Sequence, residues 1–229
     1  MRLSELFYSI QGEGKLTGVP SVFVRASGCN LRCTWCDTPY ASWDPEGDDV
    51  PVEQIIERIV EYPARHVVIT GGEPMIMPDV AELCSALKAR GYHITIETAA
   101  TVYKPVQIDL ASLSPKLSNS IPHDRESGRF AAAHERQRLN FPVIQQFIDS
   151  APDFQLKFVV SNERDVAEID DILRELRGWS PADVLLMPEG TDAATLDSRS
   201  AWVSEVCKSR GVRYCPRLHV YLYGNTRGT

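Results

Sequence analysis

Three cysteines within eight residues, Cys29, Cys33 and Cys36, constrain this chain more than any other feature. Their spacing, Cys-x3-Cys-x2-Cys, lets three thiolates converge on one soft metal centre with the intervening loop wrapped over it. Disulfides are a poor account, because three neighbours this close leave partners unassigned. A structural zinc site wants four ligands, usually two knuckles or a knuckle and a histidine pair, and no fourth ligand lies nearby. Three ligands on a four-iron cubane would leave one iron open to something that is not protein.

Composition narrows the setting. A chain of 229 residues, 43% of them hydrophobic, is long enough for one well-buried domain. A complete eight-unit α/β barrel takes about 250 residues, so a barrel here would be a unit or two short. Lys and Arg number 24 and Asp and Glu 31, a net charge of −7, with a pI near 5.3. That balance argues against direct nucleic-acid binding. The N-terminus lacks the apolar core of a signal peptide, and no apolar run reaches the 18 or so residues of a membrane span. Six cysteines, three clustered and three scattered, suit a reducing cytoplasm.

Taken in order, residues 5–20 carry Gln11-Gly12-Glu13-Gly14 and Thr17-Gly18-Val19-Pro20 and read as an irregular segment or plain turn. Ser21 to Ala26 is rich in β-formers and delivers the chain into the cysteine loop at 28–38. Arg25 is a charge inside that apolar strand, either an ion-pair partner or an anion ligand. Apolar positions at 52, 55, 56, 59 and 60 have a helical period, with Pro51 suited to its start. Strands are expected over 66–70, 92–97, 106–110, 154–160, 183–187 and 212–214. Helices are expected over 79–90, 142–149, 163–177 and 194–210. Residues 118–140 carry no clear pattern. Six to seven βα units in one uninterrupted chain predict a single-domain α/β fold over 1–229, an incomplete (β/α) barrel. Chemistry then belongs at the C-terminal strand ends, where the cysteine loop, Gly71-Gly72-Glu73-Pro74, Glu97-Thr98 and Ser114-Pro115-Lys116 all fall. Lys157 lies within the next strand. Cys84 and Cys207 sit in helical patterns, as inert buried thiols do.

The cysteine spacing, with Trp35 directly before the last cysteine, resembles the radical S-adenosylmethionine superfamily, and Gly71-Gly72-Glu73-Pro74 is similar to its methionine-binding segment. The resemblance implies that Cys29, Cys33 and Cys36 hold a [4Fe–4S] cluster whose fourth iron takes the methionine group of S-adenosylmethionine. A narrower resemblance runs through Phe7 to Gly14, Phe23-Val24-Arg25, Trp35-Cys36-Asp37-Thr38, Thr70 to Pro74, Ser114-Pro115-Lys116, Lys157-Phe158-Val159 and the tail from His219. These look like the 7-carboxy-7-deazaguanine synthase family. That family contracts 6-carboxy-5,6,7,8-tetrahydropterin to 7-carboxy-7-deazaguanine with loss of ammonia, on the route to queuosine and other 7-deazapurines. It implies a partial barrel, a homodimer and a flavodoxin- or ferredoxin-type reductant.

Carried over residue by residue, the likeness makes Thr38 a Mg²⁺ ligand, an oxygen donor of the kind that ion prefers. It makes Arg25 a substrate-carboxylate ligand, and Ile10, Gln11, Gly12 and Thr70 substrate contacts. Trp35, Cys36, Asp37, Gly72, Ser114, Pro115, Lys116 and Lys157 fall around S-adenosylmethionine. Without the likeness, Thr38 would be read as a loop cap and His219 as structural. Where the family has Glu-Thr-x-Gly-Thr, this chain has Glu97-Thr98-Ala99-Ala100-Thr101, so a different local backbone is expected there. Two rival readings remain at this point, a radical activase that makes a glycyl radical on a partner protein and a non-catalytic zinc-binding module.

Overall fold

The parallel strands of this chain are apolar on one face and mixed on the other, and that asymmetry builds the molecule. The structure is a computed structural model that describes residues 1–229. In chain order the strands and helices are β1 Arg2–Ile10, β2 Pro20–Ala26, α1 Pro39–Ser42, β3 Asp48–Asp49, α2 Val52–Val60, β4 His66–Gly71, α3 Val80–Lys88, β5 His93–Thr98 and β6 Leu110–Leu113. There follow α4 Ala131–Gln137, α5 Phe141–Ser150, β7 Asp153–Val160, α6 Glu163–Glu175, β8 Val184–Pro188, α7 Ala193–Arg210, β9 Arg213–Tyr214 and α8 Leu218–Tyr223.

They make one nine-stranded sheet in the order β3-β1-β2-β4-β5-β6-β7-β8-β9. The strands from β2 to β9 are mutually parallel, while β1 runs antiparallel to both its neighbours. The edges β3 and β9 do not pair, so the sheet is a partial barrel, as expected. Alternation along the strands sorts side chains by face. Val22, Val24, Val67, Ile69, Ile94, Ile96, Leu156 and Phe158 point outward into one core with Ile55, Ile59, Leu83, Leu87, Phe147 and Ile169 of the helices. Burying each of these large side chains stabilises by about 1.5–3 kcal/mol. The residues between them, among them Arg25, Thr70, Glu97, Ser112 and Lys157, face the other way and line a cleft. Parallel sheets are usually apolar on both faces; this one sets polar groups among Phe23, Val68, Val159, Leu185 and Met187 on its inner face.

Two expectations need correcting. Residues 5–10 are not irregular but the second half of β1, whose alternation is masked by a register shift between Leu3 and Glu5. The loop begins only at Gln11. The strand expected at 106–110 starts later, at Leu110, because the Asp109 carboxylate turns away to accept hydrogen bonds from Ile94 N (2.8 Å) and Lys88 Nζ (2.6 Å). The patternless 118–140 stretch holds two short 3-10 turns and α4. No helix is long and apolar enough to cross a membrane.

Deep on the inner face, His66 is buried between Ser21 and Thr95. The Ser21 hydroxyl donates to Val19 O, so it accepts from His66 Nδ1 at 2.6 Å, leaving Nε2 to accept from Thr95 Oγ1 at 2.8 Å. Burial, then the neighbouring His93, lowers the His66 pKa to about 4 from an ordinary value of 6.5. Between those values the unfolded chain binds more protons than the folded one, so acid favours unfolding. Urea unfolding at pH 7, 5.5 and 4.5 should show stability falling across that window, and a shallower fall in His66→Gln. An unaltered acid limb would remove His66 from its cause.

Candidate active site

The cysteine loop is held from three sides. Gly28 N donates to Ala41 O (2.8 Å), Gly72 N to Ala26 O (3.1 Å) and Glu73 N to Gly28 O (2.9 Å). The β4 end lies so close that a Cβ on Gly72 would stand 2.1 Å from Gly28 O, and one on Gly71 2.2 Å from Ala26 O. Glycines are required here by the approach of backbone to backbone. From the outside, Trp43 Nε1 donates to Cys33 O (3.0 Å). From the 118–140 stretch, Thr34 N donates to Ser120 O (2.8 Å), Trp35 Nε1 to Asn119 O (3.1 Å) and Arg32 N to His134 Nδ1 (3.1 Å). Ser120 Oγ donates to Leu117 O and therefore accepts from His134 Nε2, which fixes His134 as neutral with its proton on Nε2.

All three loop cysteines are free thiols. Burial pushes Cys29 and Cys33 up to about 12, and each also feels the other loop thiols and the Lys116 ammonium. Such thiols ionise only against a strong local cation, which iron would supply. Three free cysteines on one loop are the donor set that an iron–sulfur cluster takes. Cys84, Cys207 and Cys215 are buried elsewhere, and Cys215 Sγ accepts from Gly14 N at 3.1 Å.

A cleft of about 450 Å³ opens beside this loop on the inner face of the sheet. It gathers Ile10, Gln11, Gly12, Arg25, Trp35, Asp37, Thr38, Thr70, Gly72, Ser114, Lys116 and Lys157 from the expected site residues. Pro115 and the three cysteines are not among its lining residues; Cys36 Sγ stands 3.8 Å from Oγ1 of Thr38, which is one. Thr38 is the N-cap of α1 but makes no capping bond, and the partner of its hydroxyl is Cys36 Sγ. Arg25 is an ion-pair partner. Its Nε donates to Glu5 Oε2 at 2.8 Å while the guanidinium still lines the cleft. Glu97 accepts from Gln11 Nε2 (3.1 Å) and Thr70 Oγ1 (2.8 Å), so a carboxylate faces that cleft too. Lys116 Nζ donates to Ser114 Oγ (2.8 Å) beneath the Trp35 ring.

Glu73, wholly buried, accepts from Thr98 Oγ1 (2.7 Å), Met75 N (3.0 Å) and Ala99 N (2.9 Å). Burial pushes its carboxyl pKa up against those three donors. Ala100 takes φ 56°, the left-handed conformation a glycine would adopt freely, at a cost of roughly 1–2 kcal/mol.

Sequence reasoning missed a buried chain of charges along the cleft floor. Lys157 pairs with Glu13, Glu13 with Arg217 at 3.0 Å, and Arg217 with Asp37. Arg217 also donates to Gly190 O at 2.5 Å. Burial alone would raise the Glu13 carboxyl, but Lys157 and Arg217 outweigh it and hold Glu13 well below the carboxylate range. Lys157 and Arg217 are correspondingly raised, burial notwithstanding, by Glu13 and Asp37. The Lys157 ammonium, expected beside a cofactor, is thus already engaged. His219 packs so tightly on the Gln11 loop that a Cβ on Gly12 would be 2.0 Å from its Nδ1. Residues 224–229 complete the cleft wall, tied down where Arg227 reaches Glu5 (2.6 Å) and Glu46 (2.8 Å). The signal for Arg217 was absent from its surroundings, since its partners lie 180 and 204 residues away.

Residues 23–128 match the Radical SAM superfamily, so the cysteine loop, the glycine-flanked β4 end and the open barrel define a radical S-adenosylmethionine protein. The chain is 45% identical to the 7-carboxy-7-deazaguanine synthase of Rhodopirellula baltica, over 99% of this chain and 88% of the relative. It is also 45% identical to that of Halobacterium salinarum, over 99% and 92%. The crystal structure of QueE from Escherichia coli superposes with a TM-score of 0.69 at 27% identity, over 93% of this chain and 92% of that one. The chain belongs to the 7-carboxy-7-deazaguanine synthase family. Streptococcus suis SuiB, at 16% identity and TM-score 0.57, shares the fold over 84% of this chain.

Removing Arg217 would leave the partly exposed Asp37 carboxylate without its cation and Glu13 with Lys157 alone, which is destabilising. Arg217→Met should therefore lower the unfolding midpoint clearly in thermal denaturation. A midpoint within a degree of the parent would show that the charge chain is not structural.

Proposed function

We propose that this chain converts 6-carboxy-5,6,7,8-tetrahydropterin to 7-carboxy-7-deazaguanine with loss of ammonia, in the synthesis of 7-deazapurines such as queuosine. The observation that carries this reading is one cleft uniting Trp35, Asp37 and Thr38 of the cysteine loop with the Arg25 guanidinium and the Glu97 carboxylate. As a radical SAM enzyme it uses a [4Fe–4S] cluster and S-adenosylmethionine, which when bound supply a one-electron reductive cleavage whose organic radical takes a hydrogen atom from substrate.

In this reading Cys29, Cys33 and Cys36 hold the cluster. Gly72, Ser114, Pro115, Lys116, Trp35 and the Asp37 segment bound S-adenosylmethionine. Lys157 acts through Glu13 rather than by direct contact. Arg25 takes the pterin carboxylate, and Ile10, Gln11, Gly12 and Thr70 border the ring. Thr38 gives its oxygen to Mg²⁺, whose other ligands would be substrate and water oxygens. The Glu13–Arg217–Asp37 chain fixes the backbone that presents Thr38. The unit is one radical SAM core over 1–229, acting in the cytoplasm as a homodimer with a flavodoxin- or ferredoxin-type electron donor.

Anaerobic protein with reconstituted cluster, given reductant, S-adenosylmethionine, Mg²⁺ and the tetrahydropterin, should form the deazaguanine acid. Absence of product, with no substrate-dependent hydrogen transfer into S-adenosylmethionine, would refute the reaction. Zinc without sulfide would instead favour a non-catalytic module. Thr38→Ala should lower turnover at least about 10-fold and flatten its Mg²⁺ dependence, with iron and sulfide content unchanged. An undiminished Mg²⁺ dependence would take the ion away from Thr38.

A further inference from the structure

Glu5 is turned to the inner face of the sheet only because β1 is irregular. Across the β1–β2 pair Leu3 stands opposite Ala26, yet Glu5 already stands opposite Arg25. Two steps on β1 match one on β2, so Ser4 is the extra residue of a bulge. In an unbroken strand Glu5 would share the face of Leu3, which is buried in the outer core. Beyond the bulge it shares the inner face with Phe7 and Arg25, both of which line the cleft. The irregularity has a cost, because Ser4 Oγ is buried there with no hydrogen-bond partner. It is also held from behind, where a Cβ on Gly47 would lie 2.2 Å from Leu3 O. Bulges that re-aim a single side chain recur beside active sites.

The carboxylate so aimed is pinned by three donors from three parts of the chain. Its Oε2 accepts from Arg25 Nε (2.8 Å) and from the Tyr40 hydroxyl of α1 (3.0 Å). Its Oε1 accepts from Arg227 Nε of the C-terminal tail at 2.6 Å. The Arg227 guanidinium also lies 4.0 Å over the Tyr40 ring, which leaves the group little room to turn. Arg25, by contrast, makes one hydrogen bond within the chain, the one to Glu5. The Phe7 ring backs its guanidinium at 5.6 Å and is itself stacked on Phe23. Its two terminal nitrogens are left for a ligand. Placing an anion beside an anion-binding cation weakens the attraction for substrate; what it adds is direction. With Nε occupied, a second carboxylate can be met bidentately only by the terminal N–H pair.

We infer that Glu5 is the positioning residue for recognition of the substrate's carboxylate. It fixes the Arg25 fork so that the terminal N–H pair faces the cleft, and it touches no reacting atom itself. The inference rests on the reading of Arg25 as the ligand of the pterin acid. Because Arg227 shares the same carboxylate, two guanidiniums bracket one buried negative charge, and the second acid on Arg227, Glu46, is exposed and screened. The consequence is specificity. Glu5 matters for a pterin that carries an acid and is indifferent to one that carries a neutral group in the same place.

The test is steady-state turnover of the full-length holoprotein under anaerobic conditions. One probe is 6-carboxytetrahydropterin as substrate; the other is the same tetrahydropterin with a hydroxymethyl group in place of the acid, as a competitive inhibitor. Glu5→Ala should raise KM for the acid about 10-fold, with most of the loss in KM rather than kcat. The inhibition constant of the hydroxymethyl compound should stay within twofold of the parent. A KM within twofold of the parent would overturn the assignment. So would equal weakening of both compounds, which would give Glu5 a general part in shaping the cleft. Should Glu5→Ala not fold, Glu5→Asp keeps the charge and draws it back by one methylene, and KM for the acid alone should rise at least about threefold; an unchanged KM there overturns the assignment equally. Parent protein that forms no deazaguanine acid would instead fail the proposed reaction itself.

Discussion

One guanidinium holds this site together. Arg217 stands at the end of the chain's last crossover and binds a carboxylate from the first loop, Glu13, and one from the cluster loop, Asp37. Each of these charges would be costly to bury alone. In alternation, Lys157 included, they neutralise one another and become a rigid floor. An open sheet has no ladder of hydrogen bonds to close it, and β3 and β9 do not meet. The ionic chain and the Gln11 loop, with Lys15 bonded to Asp153 and Asp183, bridge part of that gap instead.

Behind this floor, the division of labour follows from strand alternation. Outward residues pay for the fold through helix packing; inward ones are free to be polar. His66 seals the depth of the inner face with two hydroxyls, and above it Thr70 and Gln11 orient Glu97. The glycines of β4 have a different task. They let the second strand end touch the cysteine loop backbone, so that loop and cleft share a wall.

Much of this was legible in the sequence because it rests on local signals. Helical periods, apolar strands and contiguous motifs each report on neighbours along the chain, and they placed Cys29, Thr38, Gly72 and Ser114 on one side of the fold. The failures have physical causes as well. A register shift hid β1. Asp109 displaced the start of β6 through bonds to residues on other elements. Residues 118–140 carry no apolar period because their business is to donate and accept hydrogen bonds around the cluster loop, through Asn119, Ser120 and His134. The Lys157–Glu13–Arg217–Asp37 chain was invisible because complementary charges far apart in sequence leave no periodic trace. At Ala100, buried beside Glu73's three donors, the chain takes a left-handed φ of 56° that no local signal announces.

The distance between Asp37 and Arg217 along the chain also orders events during synthesis. At about 5–20 residues per second, the 180 residues separating them take roughly 10–40 s to make. Throughout that interval the nascent cysteine loop has neither its ionic floor nor the wall formed by residues 224–229. The ionic floor and the wall at 224–229 therefore join the cleft after the cysteine loop and most of the sheet have been made.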